Sequence, residues 1–114
     1  MKILILNASP KPAGTISQML KFLEEEIRQK NPSAEIENLR VSSLKFNSCT
    51  GCMKCRSCGK CVFVGDDADV IGEKIARADF LVVASPCWWG NMTGGLKSLF
   101  DRNGVKARNS ASAP

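Results

Sequence analysis

The sequence predicts an α/β fold built on an open parallel sheet in three αβα layers, and three observations predict it. Short apolar runs alternate with stretches of helical spacing in the order strand, helix, strand, helix, strand, helix. The run from Phe80 to Ala84 (FLVVA) is almost wholly apolar, as in a strand covered on both faces. The segments after the first and third runs, Asn7 to Ser17 and Ser85 to Thr93, lie where open sheets carry their ligands, beyond the carboxyl ends of the strands.

A chain of 114 residues holds one domain with a core and is short for two. Its apolar share of 44% and charged share of 24% match globular proteins and exclude a disordered or collagenous chain. Sixteen basic against eleven acidic residues, a net charge of +5, suit an anionic ligand such as a phosphate or a nucleotide. The basic residues are dispersed among acids without a recognition motif, so nucleic acid is not the expected partner. The apolar start is too short for a signal peptide, and no run approaches the roughly 18 residues of a membrane span. With five of the six cysteines in one short loop, the expected setting is the cytoplasm, with reduced thiols and no membrane.

Lys2 to Leu6 is a buried strand that ends at Asn7-Ala8-Ser9-Pro10. From Thr15 onward Ile16, Met19, Leu20, Leu23 and Ile27 keep helical spacing, and that helix ends near Asn31-Pro32. Glu35 to Leu39 alternates polar and apolar residues, as in a strand at a sheet edge. Asp66, Asp67 and Asp69 open a second helix with side-chain oxygens and negative charge, and carry Val70, Ile71, Ile75 and Ala78 inward. Phe80 to Ala84 is the expected central strand. A third helix starts near Met92, places Leu96, Leu99 and Phe100 on one face, and closes at Asp101-Arg102. The domain is expected over 1–104, and 105–114, without apolar period and rich in Ala and Ser, reads as a mobile tail.

Three loops carry the chemistry. In ASPKPAGTIS, hydroxyls at Ser9, Thr15 and Ser17, the charge of Lys11 and the free amides of a helix start suit a phosphate. Neither G-x-x-x-x-G-K-[ST] nor G-x-G-x-x-G is present, and an ordinary capped helix start fits the composition as well. In SPCWWGNMTGG, Trp88 and Trp89 sit beside Gly90 and Asn91. One indole can lie against a flat ring while Asn91 and backbone amides bond its edge; alternatively, both pack under the loop and over the sheet edge. In CTGCMKCRSCGKC, Cys49, Cys52, Cys55, Cys58 and Cys61 recur at every third residue, a poor frame for disulfides. Soft thiolates in repeated C-x2-C steps suit an iron-sulfur centre, zinc or copper(I), with Gly51 and Gly59 letting the backbone fold around it.

Taken in order from about Met1 to Arg102, ASPKPAGTIS, CTGCMKCRSCGKCVFVGDD and ADFLVVASPCWWGNMTGGLKSLFDR resemble the NADPH-dependent FMN reductase family of flavodoxin-like proteins, and within it the iron-sulfur flavoproteins. The resemblance implies a flavodoxin-like sheet and FMN. It puts the FMN phosphate at Ser9, Lys11, Thr15, Ile16 and Ser17 and the isoalloxazine beside Pro86, Cys87, Trp88, Trp89, Gly90 and Asn91. It puts a [4Fe-4S] cluster on Cys49, Cys52, Cys55 and Cys61, leaving Cys58 over as a spare thiol or alternative ligand. Trp88 stands where the family commonly has a tyrosine, which keeps a stacking face and loses a hydroxyl.

Relatives continue through two more strand-helix units in the strand order 2-1-3-4-5, whereas this chain stops after the third helix. The strand ending at Ala84 is then expected to expose an apolar edge, giving a truncated or fragment-like form, or one that pairs that edge with another subunit as a homo-oligomer. The implied function is flavin-dependent electron transfer or NAD(P)H:FMN oxidoreduction, with NAD(P)H or a redox protein as donor. Two alternatives stand beside it: a zinc-binding or thiol-rich interaction module, and a flavodoxin-like fragment without metal. The chain has no histidine, which excludes histidine acid-base catalysis and mixed cysteine-histidine zinc sites.

Overall fold

Ile3, Leu4, Ile5 and Leu6 are all buried, so the first strand, β1 (Lys2–Asn7), meets protein on both faces. It pairs in parallel with β2 (Glu35–Arg40), Lys2 opposite Glu35 and Leu6 opposite Leu39. On its other side it pairs in parallel with β3 (Phe80–Ala84), Ile3 opposite Phe80 and Leu6 opposite Val83. The sheet order is β2-β1-β3. This computed structural model describes residues 1–104, and the tail expected over 105–114 lies outside them.

The helices are α1 (Thr15–Lys30), α2 (Lys54–Cys58), α3 (Asp67–Arg77) and α4 (Gly94–Arg102). Side chains alternate across a strand, and β1 therefore feeds two cores. Ile3 and Ile5 pack with Leu20 of α1, its neighbours Ile16 and Ile27, and Val82. Leu4 and Leu6 pack on the opposite face with Val41, Ile71 of α3, and Leu96 and Leu99 of α4. Each fully buried leucine contributes on the order of 2 kcal/mol of apolar transfer free energy. One helix on one face and two on the other give the expected three layers.

Several expectations need correction. The central strand is β1, not β3, because among the described residues β3 has a neighbour on one side only; Leu81 and Val83 stay 42% and 39% exposed. The last helix begins at Gly94 rather than near Met92, because the Thr93 hydroxyl caps it by accepting the Leu96 N–H at 3.4 Å. Val70, expected inward, is nearly half exposed, since α3 turns Ile71 and Ala68 to the core instead. On α1, Met19 and Leu23 share an exposed apolar surface with Phe22. The short helix α2 was not expected at all. It is entered through Met53 at φ 65° and left through Gly59 at φ 75°, so the glycine supplies a left-handed C-terminal stop.

Candidate functional site

β1 ends in Asn7, a buried polar residue that organises the first loop. Its Oδ1 accepts the Ser9 N–H at 3.0 Å, and its Nδ2 donates to the Ser17 hydroxyl at 3.1 Å. The Ser17 hydroxyl in turn donates to the Lys11 carbonyl at 3.1 Å, and the Ser9 hydroxyl accepts the Lys11 N–H at 3.2 Å. Ser9 is thus buried and committed to the loop, while Lys11 and Thr15 are exposed and Ile16 and Ser17 are half-buried. The helix start beyond them is Gly14, and no side chain caps it. The Ser9 hydroxyl bonds the Lys11 backbone amide ahead of the helix rather than an amide of α1. The first amides of α1, on Thr15, Ile16 and Ser17, remain as the donors a helix N-terminus offers an anion. Sequence reasoning passed over Asn7; a polar residue closing an apolar run was its signal.

The second loop folds back on itself. Trp88 and Asn91 exchange backbone bonds, Trp88 N–H to Asn91 O at 2.8 Å and Asn91 N–H to Trp88 O at 3.0 Å. Trp89 (φ 52°) and Gly90 (φ 75°) occupy the two central positions of this tight turn, the left-handed pair of a type I′ turn. Glycine adopts that conformation freely, whereas tryptophan is strained by it. Trp89 is fully exposed and Trp88 about half so; neither indole packs into the core. Cys87, Gly90 and Asn91 are exposed and Pro86 is half-buried. The loop is closed at its base by Ser85, whose hydroxyl accepts the Thr93 N–H at 3.1 Å and donates to the Pro86 carbonyl at 2.8 Å. Asn91 Oδ1 accepts the Met92 N–H at 2.8 Å, and among the described residues its Nδ2 remains as a donor. The Ala8 N–H donates to the Ala84 carbonyl at 2.8 Å, so the first and second loops leave the sheet side by side.

In the third loop, Cys49, Cys52, Cys55 and Cys61 border one small cavity of about 70 Å³, with Val62, Phe63 and Arg102 also in its wall. Cys58 does not line it. Its thiol lies 3.1 Å from the Lys54 carbonyl and 3.2 Å from the Lys60 carbonyl, two backbone acceptors outside the cavity. The Gly51 N–H points at Cys49 Sγ at 3.4 Å, with Gly51 itself at φ 72°, the kind of amide-to-sulfur bond that tunes a thiolate-held centre. All six cysteines are free thiols. Among the described residues no three Cys, Asp or Glu side chains converge to hold a single metal ion. Four soft thiols bordering one cavity suit a thiolate-held centre in kind.

The neck of this loop is tied by charge. The Lys45 N–H donates to Asp67 Oδ2 at 2.6 Å and the Asp67 N–H to the Lys45 carbonyl at 3.2 Å. Asp66 caps α3 by accepting the Asp69 N–H at 3.1 Å. Across from it, Arg102 is only 5% exposed and grips Asp66 with both terminal nitrogens, at 2.7 and 2.9 Å. The same guanidinium donates to the Asn47 carbonyl at 2.6 Å and the Phe63 carbonyl at 3.0 Å, and lies 5.1 Å from the centre of the Phe63 ring. The bond from Arg102 holds the Asp66 carboxyl below its ordinary value, against the opposing effect of burial. Asp66 likewise raises Arg102, burial opposing, with the charge of Cys61 acting in the same direction as Asp66. Arg102 entered the sequence reading only as a helix end.

Compared with known proteins, residues 1–113 match the family model of the NADPH-dependent FMN reductases. The chain belongs to this family. Among curated members it is similar to an iron-sulfur flavoprotein of Archaeoglobus fulgidus, 35% identical over 102 residues, and to one of Clostridioides difficile, 30% identical over 102 residues. Each match takes in 90% of this chain and 45% of the relative, so the chain spans about half the length of the curated relatives it matches. Of solved structures, an azoreductase from Bacillus anthracis superposes with a TM-score of 0.73 at 15% identity, over 90% of this chain and 54% of that one. Smu.1420 from Streptococcus mutans does so with a TM-score of 0.68 at 25% identity, over 90% and 52%. The sheet order and these superpositions make the fold flavodoxin-like. No helix among the described residues is long and apolar enough to cross a membrane.

Proposed function

We propose that the chain is the flavin- and cluster-bearing part of an electron-transfer oxidoreductase, with FMN over the first two loops and a [4Fe-4S] cluster on Cys49, Cys52, Cys55 and Cys61. The observation that carries the cluster reading is the sorting of five evenly spaced cysteines, four onto one cavity and Cys58 away from it. The names of the iron-sulfur flavoproteins it is similar to support the same reading. For the flavin, the support is the pairing of an uncapped helix start with a loop that holds two indoles out of the core, on adjoining strand ends.

Bound FMN supplies a centre that exchanges one or two electrons, and a cluster one that exchanges single electrons. The protein's part is positioning. The amides of Thr15, Ile16 and Ser17 would hold the phosphate, with Lys11 supplying charge, while Asn7 holds Ser9 and Ser17 in place. Trp88 and Trp89 would offer the ring a stacking face and the Asn91 amide a donor, with Pro86, Cys87 and Gly90 beside them in the same loop. The cysteine loop lies against the C-terminal end of α4, whose Asp101 and Arg102 share its cavity wall, and it exposes Cys49 and Cys52. NAD(P)H or a redox protein is the electron donor, and the cytoplasm the setting for six free thiols. Free thiols without metal are the second reading, favoured by the lack of convergence on a single ion.

The test is anaerobic purification followed by a visible spectrum and assays of iron, acid-labile sulfide, zinc and released flavin on one sample. Iron and sulfide in equal amounts with FMN are expected. Zinc alone favours an interaction module, flavin without metal the second reading, and a colourless metal-free sample removes both cofactors.

A further inference from the structure

Arg102 poses a question that packing does not answer. It falls three residues after Leu99 and six after Leu96, on the buried stripe of α4, where an apolar side chain would continue the core. Buried ion pairs are often no more stabilising than a well-packed apolar replacement. Here, moreover, the Arg102 Nε is buried without a hydrogen-bond acceptor among the described residues, so the charge is kept at a cost. Its position gives the reason. Arg102 lines the cavity bordered by Cys49, Cys52, Cys55 and Cys61 together with Asp101, whose carboxylate is already paired with Lys97. Arg102 is fixed there by Asp66, Asn47 and Phe63 from both sides of the loop neck.

We infer that Arg102 is a positioning residue whose guanidinium is the fixed counter-charge of the anionic centre held by these four thiolates, and that it biases that centre toward its reduced form. The inference rests on the cysteine-cavity reading above. Four thiolates outweigh the charge of an oxidised cubane core or of a divalent ion, so the centre is an anion, and each electron added makes it more negative. A nearby fixed cation that is itself buried favours that added charge, and Asp66 partly cancels the cation. The two residues therefore act with opposite sign, which no merely structural role would produce.

The test uses the full chain in four forms: wild type, Arg102→Met, Arg102→Lys and Asp66→Asn, the last keeping a side chain able to cap α3. After anaerobic loading with iron and sulfide, potentiometric titration with dithionite reads the midpoint. Arg102→Met shifts the reduced-to-oxidised ratio about tenfold toward oxidised, about 59 mV lower for one electron. Asp66→Asn moves it upward, and Arg102→Lys stays near wild type while losing stability to urea, because lysine keeps the charge and loses the two-pronged grip. In a second arm, cofactor-free protein is titrated with Co²⁺, read by thiolate-to-metal absorption, with affinity falling in Arg102→Met and rising in Asp66→Asn. Potentials that are unchanged, or that fall in all variants, overturn the inference while the cluster reading stands. No iron or sulfide uptake with divergent Co²⁺ affinities ends the cluster reading and supports the inference; uptake of neither ends both. Should Arg102→Met fail to fold, the remaining variants decide: a rise in Asp66→Asn with no change in Arg102→Lys supports the inference, and a parallel loss overturns it.

Discussion

Asp66 carries three duties at once: it caps α3, bonds the Asn47 N–H at 3.4 Å, and neutralises a buried guanidinium. Its carboxyl is held below the ordinary 3.8 in the folded chain, so just under that value the unfolded chain binds more protons than the folded one. The stabilisation is therefore complete well above pH 3.8, declines as pH falls through it, and is gone below the depressed folded value. Asp66→Ala is expected to cost about 3 kcal/mol at pH 7, since it strands a buried charge, and to flatten the acid limb of a stability curve measured by urea unfolding from pH 7 to pH 3. A wild-type curve with no loss of stability in that acid window would refute this account. The acids at 66, 67 and 69 were legible as a helix start because capping is local in sequence. The grip of Arg102 on Asp66 and Asn47 was not, because those partners lie 36 and 55 residues away and only folding brings them together. A charged residue on a leucine stripe was the available clue.

At the scale of elements, helical spacing made α1, α3 and α4 readable, alternation β2, and unbroken apolar runs β1 and β3. The cysteine loop resisted the same reading. The turn of helix α2 has no apolar period, and its entry through a left-handed Met53 is set by the surrounding loop. The tryptophan turn is the element whose local rule is broken most openly: Trp89 adopts a left-handed conformation with its indole wholly in solvent. Such strain is characteristic of ligand-contacting loops. Replacing it should separate stability from binding. Trp89→Gly is expected to stabilise the chain by about 1 kcal/mol in urea unfolding, by relieving a conformation that costs an L-residue about that much. It is also expected to weaken FMN binding several-fold when flavin fluorescence quenching is titrated. A loss of stability would mean that the indole packs more than its exposure indicates.

For the molecule as a whole, the sheet has two different borders. β2, with Glu35 and Glu37 along it, is a polar edge, and its Glu37 pairs with Lys74 of α3. β3 is apolar and partly bare at Phe80, Leu81 and Val83, the condition in which strands recruit partners. The chain is expected to associate through β3 at tens of micromolar in light scattering, and Leu81→Lys with Val83→Lys to shift it toward monomer; a monodisperse wild-type monomer would end this idea. The FLVVA run marked β3 as a strand made for burial. Its place at the border was foreseen only through the family's strand order, because composition records what a strand can bury and not whether a neighbour is there. The neck joining residues 45 and 47 to 66 and 67 carries a last consequence. Since both ends of the cysteine loop are stitched together at the start of α3, the cost of closing that loop grows only slowly with its length. The stretch between is thus a cassette: it can be shortened, lengthened or exchanged for another ligand-bearing sequence while the two cores beneath β1 stay as they are.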